Sequence, residues 1–459
     1  MLHKNVLPVI TSWLSRRNRH IVSAYCSTLT TDSSPAHQKE AINTAETKGL
    51  IEKIGLSKVK KKKKTIEKQL KYIQSILQDK ETLDIINYIR KVNPDIIDII
   101  QSMKCTLKKG DTNILHLIDK DTAAKYVSLI KNDLSRNMCY VAELNSGFGI
   151  LTRELLKAGV PLIHMYEGNQ KLHQVLETIS AKYPGKLNLI SSKHSNLFGI
   201  TRAFYDDKIT DGQYQDSFKA IESKNWEDET YMQVIGATDS KYLFTFIIHS
   251  LVFRNGFMFH GRPIFYIAIL PSLWHRYNTC TSNSNYKLYT YTKVMFKLMF
   301  TCELLGTLNR KAFIPWPKKK RQSMYNVSWP KKKRQSMNNA LSIKQDYEQI
   351  YVIKLEPKAD LYSELSQKDW VTFSYFVKHH LQKRRTRVIP ALEKWVPDCG
   401  IRLIAKDYTI YTQFGDLTPI QILELFKEFK SWPEYKESYF IGSMNNSLGA
   451  HNEMEFLNE

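Results

Sequence analysis

Glu143, Gly147, Gly149 and Glu167 fall at a spacing that suits the binding of a nucleotide. An apolar run from Cys139 ends in Glu143, a small polar turn carries the two glycines, and a helix-like segment follows from Ile150 to Leu156. Leu162 to Glu167 then reads as a second short strand with a carboxylate at its end. A strand, a glycine turn, a helix and a second strand place a ligand at the carboxyl ends of parallel strands. Glycines let that ligand approach the backbone, and the terminal acid can accept both hydrogen bonds of a ribose diol. A dinucleotide fingerprint needs a third glycine where Thr152 stands, which disfavours a nicotinamide cofactor.

Positive charge is the second chemical signal. The net charge is +22 over 459 residues, a balance that fits a polyanionic partner. It is concentrated in runs. Lys60, Lys61, Lys62, Lys63 and Lys64 form one cluster, and Lys383, Arg384, Arg385 and Arg387 form another. Both are candidate phosphate contacts. Trp316 to Met324 recurs verbatim as Trp329 to Met337, which reads as a local duplication in a basic surface loop. The first thirty-one residues lack Asp and Glu, carry Lys4, Arg16, Arg17 and Arg19, and place Val6, Val9, Ile10, Trp13 and Leu14 on one helical face. That pattern reads as a mitochondrial presequence over 1–31.

Cys26, Cys105, Cys139, Cys280, Cys302 and Cys399 form no CxxC pair and no zinc spacing, so sulfur and metal chemistry are not expected. No apolar run reaches the roughly 18–20 residues of a membrane helix.

The elements that position these groups follow from periodicity. Strands are expected at 139–144, 162–167, 187–191, 231–236 and 264–270, with helices at 150–158, 169–182 and 240–253. The alternation predicts a mainly parallel sheet covered on both faces. Further helices are expected over Thr65–Gln78, over Leu83–Met103, after a cap at Asp121, and over Tyr286–Leu305. Thr201–Glu229 reads as a loop. Ser366 and Thr418 begin capping-box patterns. Trp370, Phe373, Val377 and Leu381, and later Ile422, Leu425, Phe426 and Phe429, repeat at helical spacing, which predicts a small helical domain. The expected organisation is a presequence (1–31), a basic linker with helices (32–110), an α/β domain (111–345, with the basic repeat at 316–337), a helical nucleic-acid-binding domain (346–440) and an acidic tail (441–459).

The turn Glu143-Leu-Asn-Ser-Gly-Phe-Gly-Ile-Leu-Thr152 resembles the Glu-x-Gly-x-Gly motif of S-adenosylmethionine-dependent methyltransferases, and in particular motif I of the rRNA adenine dimethyltransferases. The helix leading into Lys383-Arg384-Arg385-Thr386 resembles that family's carboxyl-terminal signature. An asparagine at the first glycine of the motif, as Asn145 is here, is similar to the mitochondrial transcription factor B subgroup. The resemblance covers roughly Asn113 to Phe440.

What the resemblance implies is a class I S-adenosylmethionine-dependent methyltransferase core, Rossmann-like and α/β, with a small carboxyl-terminal helical domain. Asn145, Gly147 and Gly149 would pass the methionine part of S-adenosylmethionine, and Glu167 would hold its ribose. The family's adenine-binding aspartate aligns with Lys193, beside Ser192, and a lysine cannot accept that hydrogen bond. The family's catalytic Asn-Leu/Ile-Pro-Tyr/Phe aligns with Ala237, Thr238, Asp239 and Ser240, so asparagine, proline and aromatic are all replaced. Asp239 is the remaining candidate acceptor. Three roles stay open: a mitochondrial transcription initiation factor working with the mitochondrial RNA polymerase on promoter DNA; an active dimethyltransferase of small-subunit rRNA; and a structural ribosome-assembly factor. The expected setting is the matrix nucleoid, as a monomer without a membrane segment, with cofactor binding weak or vestigial.

Overall fold

Residues that alternate between two buried faces make a strand covered on both sides. Along Pro263–Ile269, Ile264, Tyr266 and Ala268 join one apolar cluster, while Phe265, Ile267 and Ile269 join another. The same alternation governs Tyr140–Leu144, Ile163–Tyr166, Met232–Thr238 and Gln349–Pro357. The computed structural model describes residues 80–102, 114–136, 140–190, 223–240, 242–278, 289–317 and 345–456. The expected presequence, Lys60–Lys64, Ser192, Lys193, the helix at 65–78 and all but the start of the basic repeat lie outside the described residues.

In chain order the elements are α1 (Lys80–Val92), α2 (Ile97–Ser102), β1 (His116–Leu117), α3 (Lys120–Arg136), β2 (Tyr140–Leu144), α4 (Ile150–Lys157), β3 (Ile163–Tyr166), α5 (Gln170–Lys182), β4 (Leu187–Ile190), β5 (Met232–Thr238), α6 (Tyr242–Phe253), β6 (Pro263–Ile269), α7 (Pro271–Asn278), α8 (Tyr291–Met299), β7 (Phe300–Asn309), β8 (Phe313–Ile314), β9 (Gln349–Pro357), α9 (Leu361–Glu364), α10 (Gln367–His380), α11 (Val388–Leu392), α12 (Gly400–Ile404), α13 (Pro419–Ser431) and α14 (Tyr439–Phe456). Seven strands form one sheet in the order β4-β3-β2-β5-β6-β9-β7. β4, β3, β2, β5 and β6 run parallel, and β9 lies antiparallel between β6 and β7. The chain order reverses beside β2, between β3 and β5, which is where an open α/β sheet presents its binding crevice.

Side chains from α3, α4 and α5 cover one face of the sheet. Tyr126 of α3 reaches mid-sheet, its hydroxyl 2.7 Å from the Gly236 carbonyl and 2.9 Å from that of Tyr266. The other face packs on α6 and α8, and its apolar cluster continues without a break into the helices after Leu361. There Phe376 lies within 5.4–6.0 Å, ring to ring, of Phe414, Phe426, Phe429 and Phe440. Tyr291 and Ser374 share a hydrogen bond of 2.8 Å between α8 and α10.

Several expectations need correction. Tyr286–Leu305 is not one helix: α8 passes directly into edge strand β7, where a bulge lies between Leu304 and Gly306. A Cβ at Gly306 would sit 2.7 Å from Leu129, so α3 packs closely at that point. Residues 349–357, read with the helical domain, form β9, inserted between β6 and the edge strand β7. The helix expected over 83–103 breaks at Asn93-Pro94, because proline cannot continue the ladder. Asp119, not Asp121, holds the start of α3, accepting from the Asp121 N–H at 3.3 Å and from the Thr122 hydroxyl at 2.5 Å. The expected acidic tail continues as α14 through Phe456. Both expected caps are present: Ser366 accepts from the Asp369 N–H, and Thr418 and Gln421 close a full capping box.

Thr418→Ala should cost about 1 kcal/mol through the lost cap. Phe426→Ala, which empties a fully buried site, should cost about 3–5 kcal/mol. Midpoints of urea unfolding check both values and, above all, their order.

Candidate functional site

The chain leaves β2 through a turn in which Asn145, Gly147 and Gly149 all have left-handed backbones (φ 56°, 60° and 65°). Asparagine and glycine are the residues that tolerate this region. The Asn145 N–H donates to the Tyr166 carbonyl at 2.8 Å, tying the turn to β3. A Cβ at Gly147 would lie 2.9 Å from His116 Nδ1. One at Gly149 would collide with Ile179 and sit 3.2 Å from Leu176 on α5. Each glycine thus admits a protein neighbour, as well as giving the turn its shape.

Glu167 follows β3 and is buried. Its Oε2 accepts from the Gly147 N–H at 2.9 Å and its Oε1 from the Asn169 N–H at 2.8 Å. The carboxylate therefore bridges the ends of β2 and β3, and each oxygen keeps capacity for a further donor. Glu143, one strand over, is also buried and accepts from the Thr152 hydroxyl at 2.6 Å. Burial, with a smaller contribution from Glu167, pushes the Glu143 carboxyl up to about 8, although the Thr152 bond opposes the rise. Thr152 occupies the position of a third motif glycine, and Glu143 supplies the acceptor its buried hydroxyl needs.

His116 was not singled out by the sequence. It sits in the apolar run Ile114–Ile118, and only its polarity among hydrophobic neighbours marks it. β1 pairs with β8, while Ile114 bridges to Thr238 at the end of β5. His116 is thereby brought between the motif turn and the end of β5. Burial lowers its pKa, and the Glu167 charge opposes that shift. His116 Nδ1 and Asn145 Oδ1 are buried without a hydrogen-bond partner. Two unsatisfied polar atoms beside an anchored carboxylate fit a polar ligand such as a nucleoside.

The end of β5 is furnished differently. Ala237 has no polar side chain. The Thr238 hydroxyl accepts from the Ser240 N–H at 3.1 Å, and the Ser240 hydroxyl accepts from the Tyr242 N–H at 3.2 Å. Each hydroxyl serves the turn into α6 as an acceptor. Asp239 is buried, and its charge acts on the buried Arg310, whose own pKa burial pushes down to about 10. Arg310 is held by the carbonyls of Phe313 and Pro315, each at 2.7 Å. Tyr242, 46% exposed at the start of α6, is an aromatic beside this turn that the motif alignment passed over.

The second basic cluster does not extend a helix. α10 stops at His380, and residues 384–388 instead pair with residues 412–415. Lys383, Arg385 and Arg387 are exposed there and Arg384 is half-buried.

The strand order, with one antiparallel strand inserted next to the far edge, and the glycine turn facing an acid at the end of β3, define a class I S-adenosylmethionine-dependent methyltransferase fold. No family model matches the chain. Over 374 residues, 73% of this chain and 79% of the relative, it is 29% identical to dimethyladenosine transferase 2, mitochondrial, of Drosophila melanogaster. Among solved structures it is similar to a dimethyladenosine transferase from Plasmodium falciparum (12% identity, 68% of this chain and 97% of that one, TM-score 0.40). It is also similar to the 23S rRNA methyltransferase ErmE (15% identity, 69% and 99%, TM-score 0.37). The chain is a homologue of mitochondrial dimethyladenosine transferase 2 over most of its length, on an rRNA adenine dimethyltransferase-family scaffold.

The raised Glu143 pKa has a definite linkage. Between about 4.5 and about 8 the folded state holds a proton that the unfolded state has released, so this group's contribution to stability falls as pH rises through that window. Glu143→Gln keeps an acceptor for Thr152 and cannot ionise. It should melt higher than the parent at pH 8, by on the order of 1–3 kcal/mol, with the gain shrinking towards pH 5. Thermal unfolding across that range checks it; a gain that grows towards acid contradicts the assignment.

Proposed function

We propose that this chain is a mitochondrial transcription initiation factor, which assists the mitochondrial RNA polymerase in opening promoter DNA and is built on a dimethyltransferase scaffold. The observation that carries the reading is the turn after β5. Transfer to an adenine amine requires acceptors that aim the nitrogen lone pair and a platform for the flipped base. The Ala237 side chain supplies neither, and the Thr238 and Ser240 hydroxyls are tied into the turn as acceptors of its N–H groups and provide no ring for the base. Promoter opening needs a basic surface that retains a separated strand, and Lys383, Arg384, Arg385 and Arg387 offer one beside the helical core. A mitochondrial setting, in the matrix nucleoid, agrees with the acid-free start of the sequence and with the relative's name.

S-adenosylmethionine is the ligand that this reading gives to the crevice, where it would supply an electrophilic methyl group. Glu167 would hold the ribose diol while remaining anchored by Gly147 and Asn169. Asn145 Oδ1 and His116 Nδ1 would gain partners. Lys193, which aligns with the family's adenine-binding aspartate, makes the expected affinity weak.

A second reading, dimethylation of small-subunit rRNA, draws on Asp239 and Tyr242. A buried carboxylate at the end of β5 can accept from an amine, and the half-exposed ring nearby can stack on a base.

Run-off transcription by the mitochondrial RNA polymerase, with and without this protein, should show promoter-dependent product only when it is present. In cells lacking the housekeeping dimethyltransferase, primer extension should find the target adenines unmodified by this chain, a deficit of several orders of magnitude in rate. Full restoration of the dimethyl stops, lost again on Asp239→Ala, makes the second reading the answer.

A further inference from the structure

An exposed aromatic ring stands against the second basic cluster, and no motif accounts for it. Tyr411 is 67% exposed, and the Arg387 guanidinium lies over its ring at 5.4 Å from the centroid. The ring is not on a loose loop. Residues 384–388 and 412–415 are joined by Val388 N–H to Thr412 O, Phe414 N–H to Thr386 O and Gly415 N–H to Arg384 O, each 2.9 Å. The turn beneath the ring is cross-braced. The Thr412 N–H donates to the Thr409 carbonyl at 3.0 Å, the Thr409 N–H to the Thr412 hydroxyl at 3.0 Å, and the Tyr411 N–H to the Thr409 hydroxyl at 3.3 Å. Phe414, next in the same ribbon, is fully buried against Phe376 and His380. The tip that carries Tyr411 is therefore fixed to the aromatic core of the helical region.

We propose that Tyr411, backed by Arg387 and framed by Lys383, Arg384 and Arg385, is a stacking platform for one unpaired base of a single-stranded nucleic acid. The proposal rests on the nucleic-acid reading above and adds to it the residue that touches a base. The chemistry selects this occupant. Phosphates satisfy the cations, and every base has a π-face to lay on a ring. An acidic peptide would use the cations but not the ring, whose face carries negative charge and repels a carboxylate. The cation on the ring adds to stacking, and the braced turn lowers the ordering cost of binding. A platform of this kind is indifferent to sequence, and it distinguishes a strand whose bases are free from one whose bases are paired.

The test uses the full chain and two fluorescent probes of equal phosphate count, a short oligothymidylate and its abasic counterpart, titrated over a range of salt. The parent should bind the oligothymidylate about tenfold more tightly than the abasic strand. Tyr411→Ala should abolish that preference while leaving the salt slope unchanged, and Tyr411→Trp should keep it, with indole fluorescence quenched on binding. Neutralising Arg384, Arg385 and Arg387 should flatten the salt slope for both probes. If Tyr411→Ala keeps the parent's preference, or if the parent binds both strands equally with a slope set by the arginines, the platform is wrong and the nucleic-acid reading stands. If the parent binds neither probe, both fall. If Tyr411→Ala instead loses binding to a polyglutamate peptide, the site belongs to a protein partner and the proposal is overturned.

Discussion

The Glu167 carboxylate is the interaction on which the crevice depends. It is buried, and it accepts one backbone N–H from the turn after β2 and another from the residue that caps α5. Two N–H donors to a carboxylate form charge-assisted bonds in a setting of low dielectric, where they are stronger than in water. They compensate the desolvation that would otherwise make a buried anion prohibitive. The left-handed turn from Asn145 to Gly149 has little regular hydrogen bonding of its own, and the acid fixes it to β3. Glu143, on the adjacent strand, meets burial without such donors beyond Thr152, and burial pushes its carboxyl towards the neutral form. One acid thus accepts two backbone N–H groups across the strand ends, while burial drives the other towards a neutral filler under α4.

The second determinant is the continuity of the apolar core. The cluster on the α6 face of the sheet passes into α10, α11, α13 and α14 without an intervening polar layer. The ring of Phe376 lies against those of four other phenylalanines drawn from three other segments. Such a core resists bending between the sheet and the helices, because close-packed interiors transmit strain and do not deform smoothly. The consequence for function is positional. The ribbon of Arg384–Val388, with Arg385 and Arg387 exposed on it, is held by Phe414 to the same core that supports the carboxyl ends of β5 and β6.

The parallel half of the sheet was legible because strands buried on both faces write themselves as short apolar runs between turn residues. β2, β3, β4, β5 and β6 all lie within a residue or two of where the sequence put them. The antiparallel end was not legible. β7 has an irregular, half-exposed pattern and follows α8 with no turn signal, so its residues extended the apparent helix. β9 alternates cleanly but follows a long basic stretch, and its place in the sheet is set by pairing with strands 80 and 40 residues distant (Ile269 with Tyr351, Asn309 with Gln349), a tertiary choice that local pattern does not encode. At the site, the glycine turn and Glu167 were readable from spacing. His116 and Tyr411 were not, since each owes its position to a pairing distant along the chain, β1 with β8 and 384–388 with 412–415, and Tyr242 was not because it lies just beyond the motif, at the start of α6.

This difference bears on how a motif outlives its chemistry. Every group in the turn after β2 has a structural duty in addition to any cofactor. Glu143 satisfies Thr152, Glu167 pins the turn, Gly147 makes room for His116, and Gly149 makes room for Ile179. Replacing any of them strands a buried polar atom or forces a collision, at a cost in stability whether or not a methyl donor is bound. The turn after β5 has no comparable role for an asparagine, a proline or an aromatic ring. Its fold needs only the Thr238 and Ser240 hydroxyls to accept the N–H groups entering α6. On the function proposed above, a scaffold relieved of base chemistry would keep the first motif and be free to lose the second. Retention of the glycine turn and its two acids therefore follows from the demands of folding alone, whereas the residues after β5 are under no such demand.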